Sequence, residues 1–424
     1  MLGLPQALVI ALEHNFTIRR AREQLRQQEG VLTTVSAAAL PSVSALASYQ
    51  KSNVPGFQAS SAQNPGVPLI VPSGRYWRMN LTVRQTLYAG GGIRSSIDAA
   101  TLSREAAILG LKETINAVLL DVRIRFYTVL LAREDIKVQE QNLELLQSQL
   151  RDATVRFEVG AISNFERLRA EVAVANARPP LIKARNDYRL AIGELRRVIG
   201  LMPAGSDSLN QGPEFAGALT FEPVEPELPA ALATARTGRP ELQRLAKLLH
   251  AAESGKLTAR AGYYPNLALT AGGELRKGPT EYFSDSLRGL RAGVQAQWTG
   301  NPRATSGRIG QAESLVEQAR LTLGAAELAV QVEVRRALSS LGEATELVGA
   351  TLQSVKQAEE AVRIALSRYQ AGMSTQLDLL QAQVALTASR TNQLRAYYGH
   401  NVALARLQNA LGQSELEFAS DITR

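Results

Sequence analysis

"RYQAGMSTQLDLLQAQ" (368–383) sets Gly372 in the middle of a stretch otherwise made of helix formers, and "RFEVGAISNFERLRAE" (156–171) repeats that plan 212 positions earlier. Arg156 corresponds to Arg368, Phe157 to Tyr369, Gly160 to Gly372, Leu168 to Leu380 and Ala170 to Ala382. Glycine enters the left-handed conformation that ends a helix without steric penalty. Ser163 and Thr375 (or Ser374) then offer an oxygen to cap the next helix, with Glu166 and Asp378 in its first turn, where negative charge complements the dipole. Each stretch reads as the tip of a helical hairpin, and the chain as two copies of one unit.

The duplication extends outward from the tips. "LPQALVIALEHNFTI" from Leu4 resembles "LPAALATARTGRPEL" from Leu228 at an offset of 224, so that Leu8 meets Leu232, Glu29 meets Glu253 and Pro41 meets Pro265. Gly160 with Gly372 and Gly200 with Gly412 match at 212. The smaller offset places a longer insertion in the first copy, in "NVPGFQASSAQNPGVPLIVPSG" (53–74), a composition that predicts a solvent-facing loop. The first repeat is expected over 1–199: a helix, strands about 42–52 and 75–88, a long helix about 93–158, the tip, and a return helix about 164–199. A Pro/Gly-rich connecting, equatorial segment (200–227) follows. The second repeat (228–412) has strands about 266–276 and 288–299, a long helix about 304–370 and a return helix about 376–411, before a tail at 413–424.

The extended segments carry the clearest period. In "YWRMNLTVRQTLY" (76–88), Trp77, Met79, Leu81, Val83 and Leu87 alternate with Arg78, Asn80, Thr82, Arg84 and Thr86. In the second copy Leu290, Ala292, Val294, Ala296 and Trp298 alternate with Arg291, Gly293, Gln295, Gln297 and Thr299. Val43, Ala45, Ala47 and Tyr49, and Leu267, Leu269 and Ala271, continue the apolar set more weakly. A period of two gives each strand one apolar and one polar face. Only long helices flank these strands, and no second sheet is expected to cover the apolar face, so lipid is the partner it fits. An open sheet edge cannot persist in hydrocarbon. Four strands per chain must therefore be pooled, to eight in a dimer or twelve in a trimer.

From Ile93 to Glu158 there is no proline, and Ile108, Leu111, Ile115, Val118, Val122, Phe126 and Val129 recur at spacings of three and four. Leu341, Val348, Leu352, Val355, Val362, Leu366 and Tyr369 keep the same average of 3.5 in the second copy, the period of left-handed coiled-coil packing. About 65 residues at 1.5 Å each span roughly 100 Å. Rods of that length suit a hollow bundle or a scaffold. The fold class is α-dominated, with a small transmembrane β part.

Composition removes several functions. The 424 residues contain no cysteine, hence neither disulfides nor thiolate sites. The 47 basic and 39 acidic residues are interspersed along helical segments rather than clustered, which argues against nucleic acid as a partner. No run of 18 apolar residues predicts a membrane-spanning helix, and a signal peptide is presumed removed. His14, His250 and His400 are scattered, without HExxH or cysteine companions, and read as surface or helix-end residues. "GGGIR" (90–94) follows a strand but lacks the spacing of a phosphate loop. No catalytic residue, metal site or cofactor is expected, and the chain is not an enzyme.

"ALEHN" (11–15), "LYAGGG" (87–92) and the twin tips with "L-x-A" after them, in this order and in duplicate, resemble the outer-membrane efflux protein family, the TolC-like channel-tunnels. The resemblance covers essentially the whole chain. It implies a homotrimer whose twelve strands form one outer-membrane barrel, continued by a periplasmic α-helical coiled-coil barrel. It also implies docking onto a periplasmic adaptor (membrane fusion) protein and an inner-membrane pump that supplies the energy. Asp378 matches a gate carboxylate, while Gln381 stands where family members often place a second one. Tyr369 and Glu166 match a latch of the closed state, and Ser374 stands where a basic partner is sometimes found. Adaptor docking would use Val159, Gly160, Ala161, Ile162 and Ser163, with Ala371, Gly372, Met373 and Ser374. In such a barrel Arg78, Arg84, Arg276 and Arg291 would face the lumen, and Trp77, Leu81, Val83, Leu87, Val294 and Trp298 the outer-membrane lipid. A soluble periplasmic coiled-coil scaffold or adaptor is the alternative. Drugs, metal ions, small metabolites and secreted proteins stay open as cargo.

Overall fold

The structure, a computed structural model, describes residues 2–52, 56–58, 69–71, 74–201, 215–224, 226–277 and 287–413. Most of the 53–74 insertion, half of the connecting segment and nearly all of the tail lie outside these residues. The elements run α1 (Leu4–His14), α2 (Phe16–Ser36), β1 (Ser42–Ser52), β2 (Gly56–Gln58), β3 (Leu69–Val71), β4 (Gly74–Ala89), α3 (Gly92–Glu158) and α4 (Asn164–Ile199). They continue α5 (Leu228–Gly238), α6 (Pro240–Arg260), β5 (Asn266–Lys277), β6 (Leu287–Gln297), α7 (Pro302–Gln370) and α8 (Gln376–Ala410). Matching helices have nearly equal lengths: 11 residues in α1 and α5, 21 in α2 and α6, 67 and 69 in α3 and α7, 36 and 35 in α4 and α8. Within the insertion, β2 pairs antiparallel with β3, so this region is not wholly loop.

The chain forms two compact units. One comprises Leu25–Ala107 and Arg244–Leu323 and holds an antiparallel sheet in the order β1-β4-β5-β6. Its register aligns the alternating residues. Val43 lies across from Val83, then Ala271 and Ala292; Ala45 lies across from Leu81, then Gly273 and Leu290. Residues directly opposite in a ladder share a face, so the apolar positions form one continuous surface. That surface is bare: Leu81 is 53% exposed, Val294 67% and Leu290 92%. Alternation fails at one point. Between Thr86 and Tyr88 the register with β5 shifts, leaving Leu87 without a Cα partner and setting Tyr88 across from Leu267. A bulge of this kind adds one residue and carries Tyr88, a polar-phase residue by simple alternation, onto the apolar face.

The other unit comprises Met1–Gln24, Ile108–Gln243 and Gly324–Arg424. Its core joins Ala7, Ala11 and Ile18 to Val118, Val122, Phe126 and Val129 of α3 and to Leu195, Val198 and Ile199 of α4. Of the α3 residues spaced by three and four, Val118, Val122, Phe126 and Val129 are buried, and Leu111 and Ile115 pack half-buried against the same core. The end of each return helix is fastened twice by the same plan. Asn15 donates to the Val198 carbonyl at 2.6 Å, while its own side-chain oxygen caps α2 by accepting from Thr17 and Ile18. At the matching place in the second copy, buried Arg239 donates to the Ala410 carbonyl at 3.0 Å and pairs with Glu333 at 2.6 Å.

His400 corrects an expectation. It is buried (1% exposed), not at the surface, and stacks edge-on against Phe221 with ring centroids 4.8 Å apart. Part of the connecting segment covers it. Asn401 donates to the Thr220 carbonyl at 2.8 Å, and Arg133 holds the Phe215 and Gly217 carbonyls at 3.2 and 2.6 Å. Neither ring nitrogen of His400 has a hydrogen-bond partner among the described residues, and burial lowers its pKa from the usual 6.5. The unfolded chain therefore binds a proton that the folded one refuses. Stability should be level above about pH 6.5 and fall as the pH drops toward the lowered folded value. Thermal unfolding followed from about pH 7 to 5 should show that slope, and His400→Phe should remove the part due to this residue.

Candidate functional site

Both tips are built by the same backbone device. At the end of α3, Gly160 (φ 73°) donates to Phe157 O at 2.9 Å and Ala161 to Arg156 O at 2.8 Å. At the end of α7, Gly372 (φ 73°) donates to Tyr369 O at 3.1 Å and Met373 to Arg368 O at 2.8 Å. These paired bonds are the Schellman arrangement, which satisfies orphan carbonyls and needs a left-handed residue at the glycine position. Ser163 then caps α4, its hydroxyl accepting from the Glu166 N–H at 3.3 Å. Thr375, rather than Ser374, caps α8. Its N–H and hydroxyl donate to the Asp378 carboxylate at 2.9 and 2.8 Å, and its hydroxyl accepts from the Asp378 N–H at 3.3 Å.

The tips leave apolar groups in the open. Val159 is 74% and Met373 66% exposed; Gly160, Ala161, Ser163, Ala371 and Gly372 are exposed, and Ile162 and Ser374 are half-buried. Phe165, which the sequence reading passed over, is exposed beside them with the Arg169 guanidinium 4.8 Å above its ring. Its place two residues after the capping Ser163, an aromatic in the first turn of the helix, was the signal.

The gate residues differ in their engagements. The Asp378 carboxyl is held below its usual pKa chiefly by the Thr375 backbone N–H, then by the Thr375 hydroxyl and Arg368, so it is ionised and committed to the cap. Gln381 is exposed. The hydrogen bond expected between Tyr369 and Glu166 is not formed. Instead the Arg156 guanidinium from α3 lies 5.0 Å from the centre of the Tyr369 ring on α7. The ring's negative face is occupied by that cation, while burial, aided by Glu166 and Asp152, raises the phenol pKa. Near the tips the two hairpins therefore meet through Arg156 on Tyr369, with Glu166 close by, and farther along α3 and α8 through Asn142 with Thr387 and Gln141 with Arg390.

On the sheet's polar face Arg78 lies directly across from Arg276, and Glu274 sits between cations. Its carboxylate pairs with Arg78 at 3.2 Å and with Arg291 at 3.1 Å. Among the described residues, Arg84 and Arg276 have no ion-pair partner. Glu274 was missed, although it is the one acidic residue in these four strands and falls in the polar phase. The lipid-facing candidates Trp77, Leu81, Val83 and Val294 share the apolar face, and Trp298 follows β6 in the same phase. Among the described residues no group of three His, Asp or Glu could hold a metal ion.

A sheet that is apolar and bare on one side and charged on the other, joined to paired helical hairpins with open tips, defines a subunit of a membrane duct. The family model described as outer membrane efflux protein matches residues 7–201 and 231–413, and the chain belongs to that family. It is 24% identical over 413 residues to the outer membrane efflux protein BepC of Brucella suis, covering 97% of this chain and 85% of that protein. It is 26% identical over 429 residues to protein CyaE of Bordetella pertussis, covering 98% and 86%. The outer membrane protein VceC of Vibrio cholerae shares its fold, with a TM-score of 0.80 over 96% of each chain at 18% identity. The chain is an outer-membrane efflux or secretion protein with a helical periplasmic part and is not an enzyme; the soluble-scaffold alternative falls.

Proposed function

We propose that three copies of this chain pool their sheets into one twelve-stranded barrel and serve as the passive exit duct of a tripartite efflux or type I secretion system. An adaptor and an inner-membrane pump open it at the helical tips. The observation that carries this reading is the sheet itself, whose apolar face is bare and whose outer strands β1 and β6 have no second neighbour among the described residues. Hydrocarbon tolerates neither an open edge nor a charged outer surface, and pairing β1 of one protomer with β6 of the next removes both edges. The helices support the same assembly. Leu321, Leu328 and Val332 of α7 are exposed and spaced by seven and four, a coiled-coil seam lacking its partner within the chain. The two repeats, over 1–199 and 228–412, would supply alternate hairpins of the tunnel.

Within this reading the exposed apolar tip residues Val159, Ala161, Ala371 and Met373, with half-buried Ile162, dock the adaptor. Arg84 and Arg276 put uncompensated positive charge into the lumen, whereas Glu274 is shared by Arg78 and Arg291 and offsets one of their two charges. Cell fractionation tests the assignment. The chain should stay with outer membranes through a high-salt wash and be released only by detergent; recovery in the wash would overturn it.

The closed state is held by Arg156 on Tyr369. Such a contact is worth about 1 kcal/mol when partly exposed, roughly a fivefold bias toward closure per protomer. Single-channel recording should show raised conductance for Arg156→Gln and Tyr369→Ala, and little change for Tyr369→Phe, which keeps the ring. Native conductance in Arg156→Gln would remove this contact from the latch.

A further inference from the structure

The apolar face of the sheet is charged at one end only. Lys51 is two residues beyond Tyr49 in β1, hence on the same face, and Arg75 is its register partner in β4. Lys277 lies across from Trp77 and Arg288 across from Leu275. Lys51, Lys277 and Arg288 are exposed, and none has an ion pair or hydrogen bond among the described residues. Toward the other end the same face carries Val43, Val83, Leu269, Val294 and Ala296, without charge. No Asp or Glu occupies this face anywhere in the four strands; Glu274, their one acidic residue, lies on the opposite side.

The charged end is identified by connectivity. There β1 leads toward β4, and β5 toward β6, with no helix among the described residues between them; at the other ends the strands join α2, α3, α6 and α7. No helix among the described residues is long and apolar enough to cross a membrane. The helix-joined ends are therefore periplasmic, and the charged end lies in the outer leaflet.

We infer that Lys51, Lys277 and Arg288 form a binding row for phosphate groups of outer-leaflet lipid headgroups. The inference rests on the apolar face meeting lipid. Three cations per chain without a partner among the described residues, on a face otherwise apolar there, would be costly against acyl chains, but at headgroup depth their long stems lie along apolar surface while the charges reach phosphate. Trp77 and Tyr49 stand beside them, the residue types that mark a membrane interface. Below the row Met79, Leu275 and Leu290 offer apolar surface for the lipid's chains.

The probe is lipid A, a phosphorylated outer-leaflet glycolipid, compared with lipid A stripped of its phosphates. The detergent-purified assembly should retain phosphorylated lipid A in native mass spectrometry and lose preference for it in the triple variant Lys51→Gln, Lys277→Gln, Arg288→Gln. At about fivefold per cation near a charged lipid surface, the loss should be roughly a hundredfold. Equal retention of phosphorylated and phosphate-free lipid by the native protein overturns the inference, and this arm needs no variant to fold. Excess inorganic phosphate should not displace the lipid; displacement would mean a free-anion site and would also overturn it. Flotation with phosphatidylcholine vesicles separates the two readings. Insertion into these vesicles without any preference for lipid A sinks only the headgroup row, whereas failure to insert into vesicles of either composition sinks the duct with it.

Discussion

Leu81→Arg is expected to keep the chain out of the outer membrane, and Val83→Arg to do the same. Both residues lie on β4, an inner strand of the sheet, flanked by Ala45 and Gly273 in one case and by Val43 and Ala271 in the other. Leu81 is exposed and Val83 half-buried on the apolar face, so a guanidinium at either position would face hydrocarbon. The cost at mid-bilayer is about 2–4 kcal/mol per chain. In the proposed trimer the cost recurs three times, roughly 6–12 kcal/mol, comparable with the whole stability of an ordinary domain. The measurement is the amount of chain in salt-washed outer membranes. Thr82→Arg gives the control, because Thr82 is on the polar face beside Gly272, where a cation meets water. Normal assembly of Leu81→Arg would show that this face does not contact lipid, and the pooled barrel would lose its basis.

The sheet was legible because a half-buried strand writes its two environments into every second residue. Trp77, Met79, Leu81 and Val83 needed no knowledge of their neighbours to be sorted onto one face. Leu87 shows where that reasoning ends. The bulge is a property of the ladder with β5, and one strand's sequence does not reveal an extra residue in its partnership. The tips were legible for a similar reason, since a helix end is a local structure whose glycine, hydroxyl and carboxylate lie within a few residues. The latch was not. Arg156 and Tyr369 belong to different hairpins, and which cation covers the ring depends on how those hairpins lie side by side. His400 was misread because its cover, Phe221, comes from the connecting segment 179 positions earlier in the chain. Asn15 and Arg239 show a further limit. They perform the same fastening of a return helix in the two copies, yet as different residue types they leave no trace in a comparison of letters.

Gly160→Pro is expected to abolish efflux while leaving the membrane-inserted assembly intact. Gly160 holds φ at 73° and donates its N–H to Phe157. Proline removes that donor and requires φ near −65°, a combined cost of about 3 kcal/mol or more that the hairpin relieves by unwinding its tip. A Cβ at 160 meets no atom within 4 Å, so the damage stays local. Gly160→Ala keeps the donor and pays about 1–2 kcal/mol for the left-handed backbone, and should give a partial defect. Gly200 is the discriminating comparison. It caps α4 by the same paired bonds at φ 78°, but a Cβ there would overlap the carbonyl of His14. Gly200→Ala should therefore lower the amount of folded trimer as well as transport, where Gly160→Pro lowers transport alone. Crosslinked trimer in the membrane and dye extrusion from intact cells are the paired readouts. Dye extrusion at the native rate in Gly160→Pro would show that the first tip takes no part in docking, and would leave adaptor contact to the tip at Gly372.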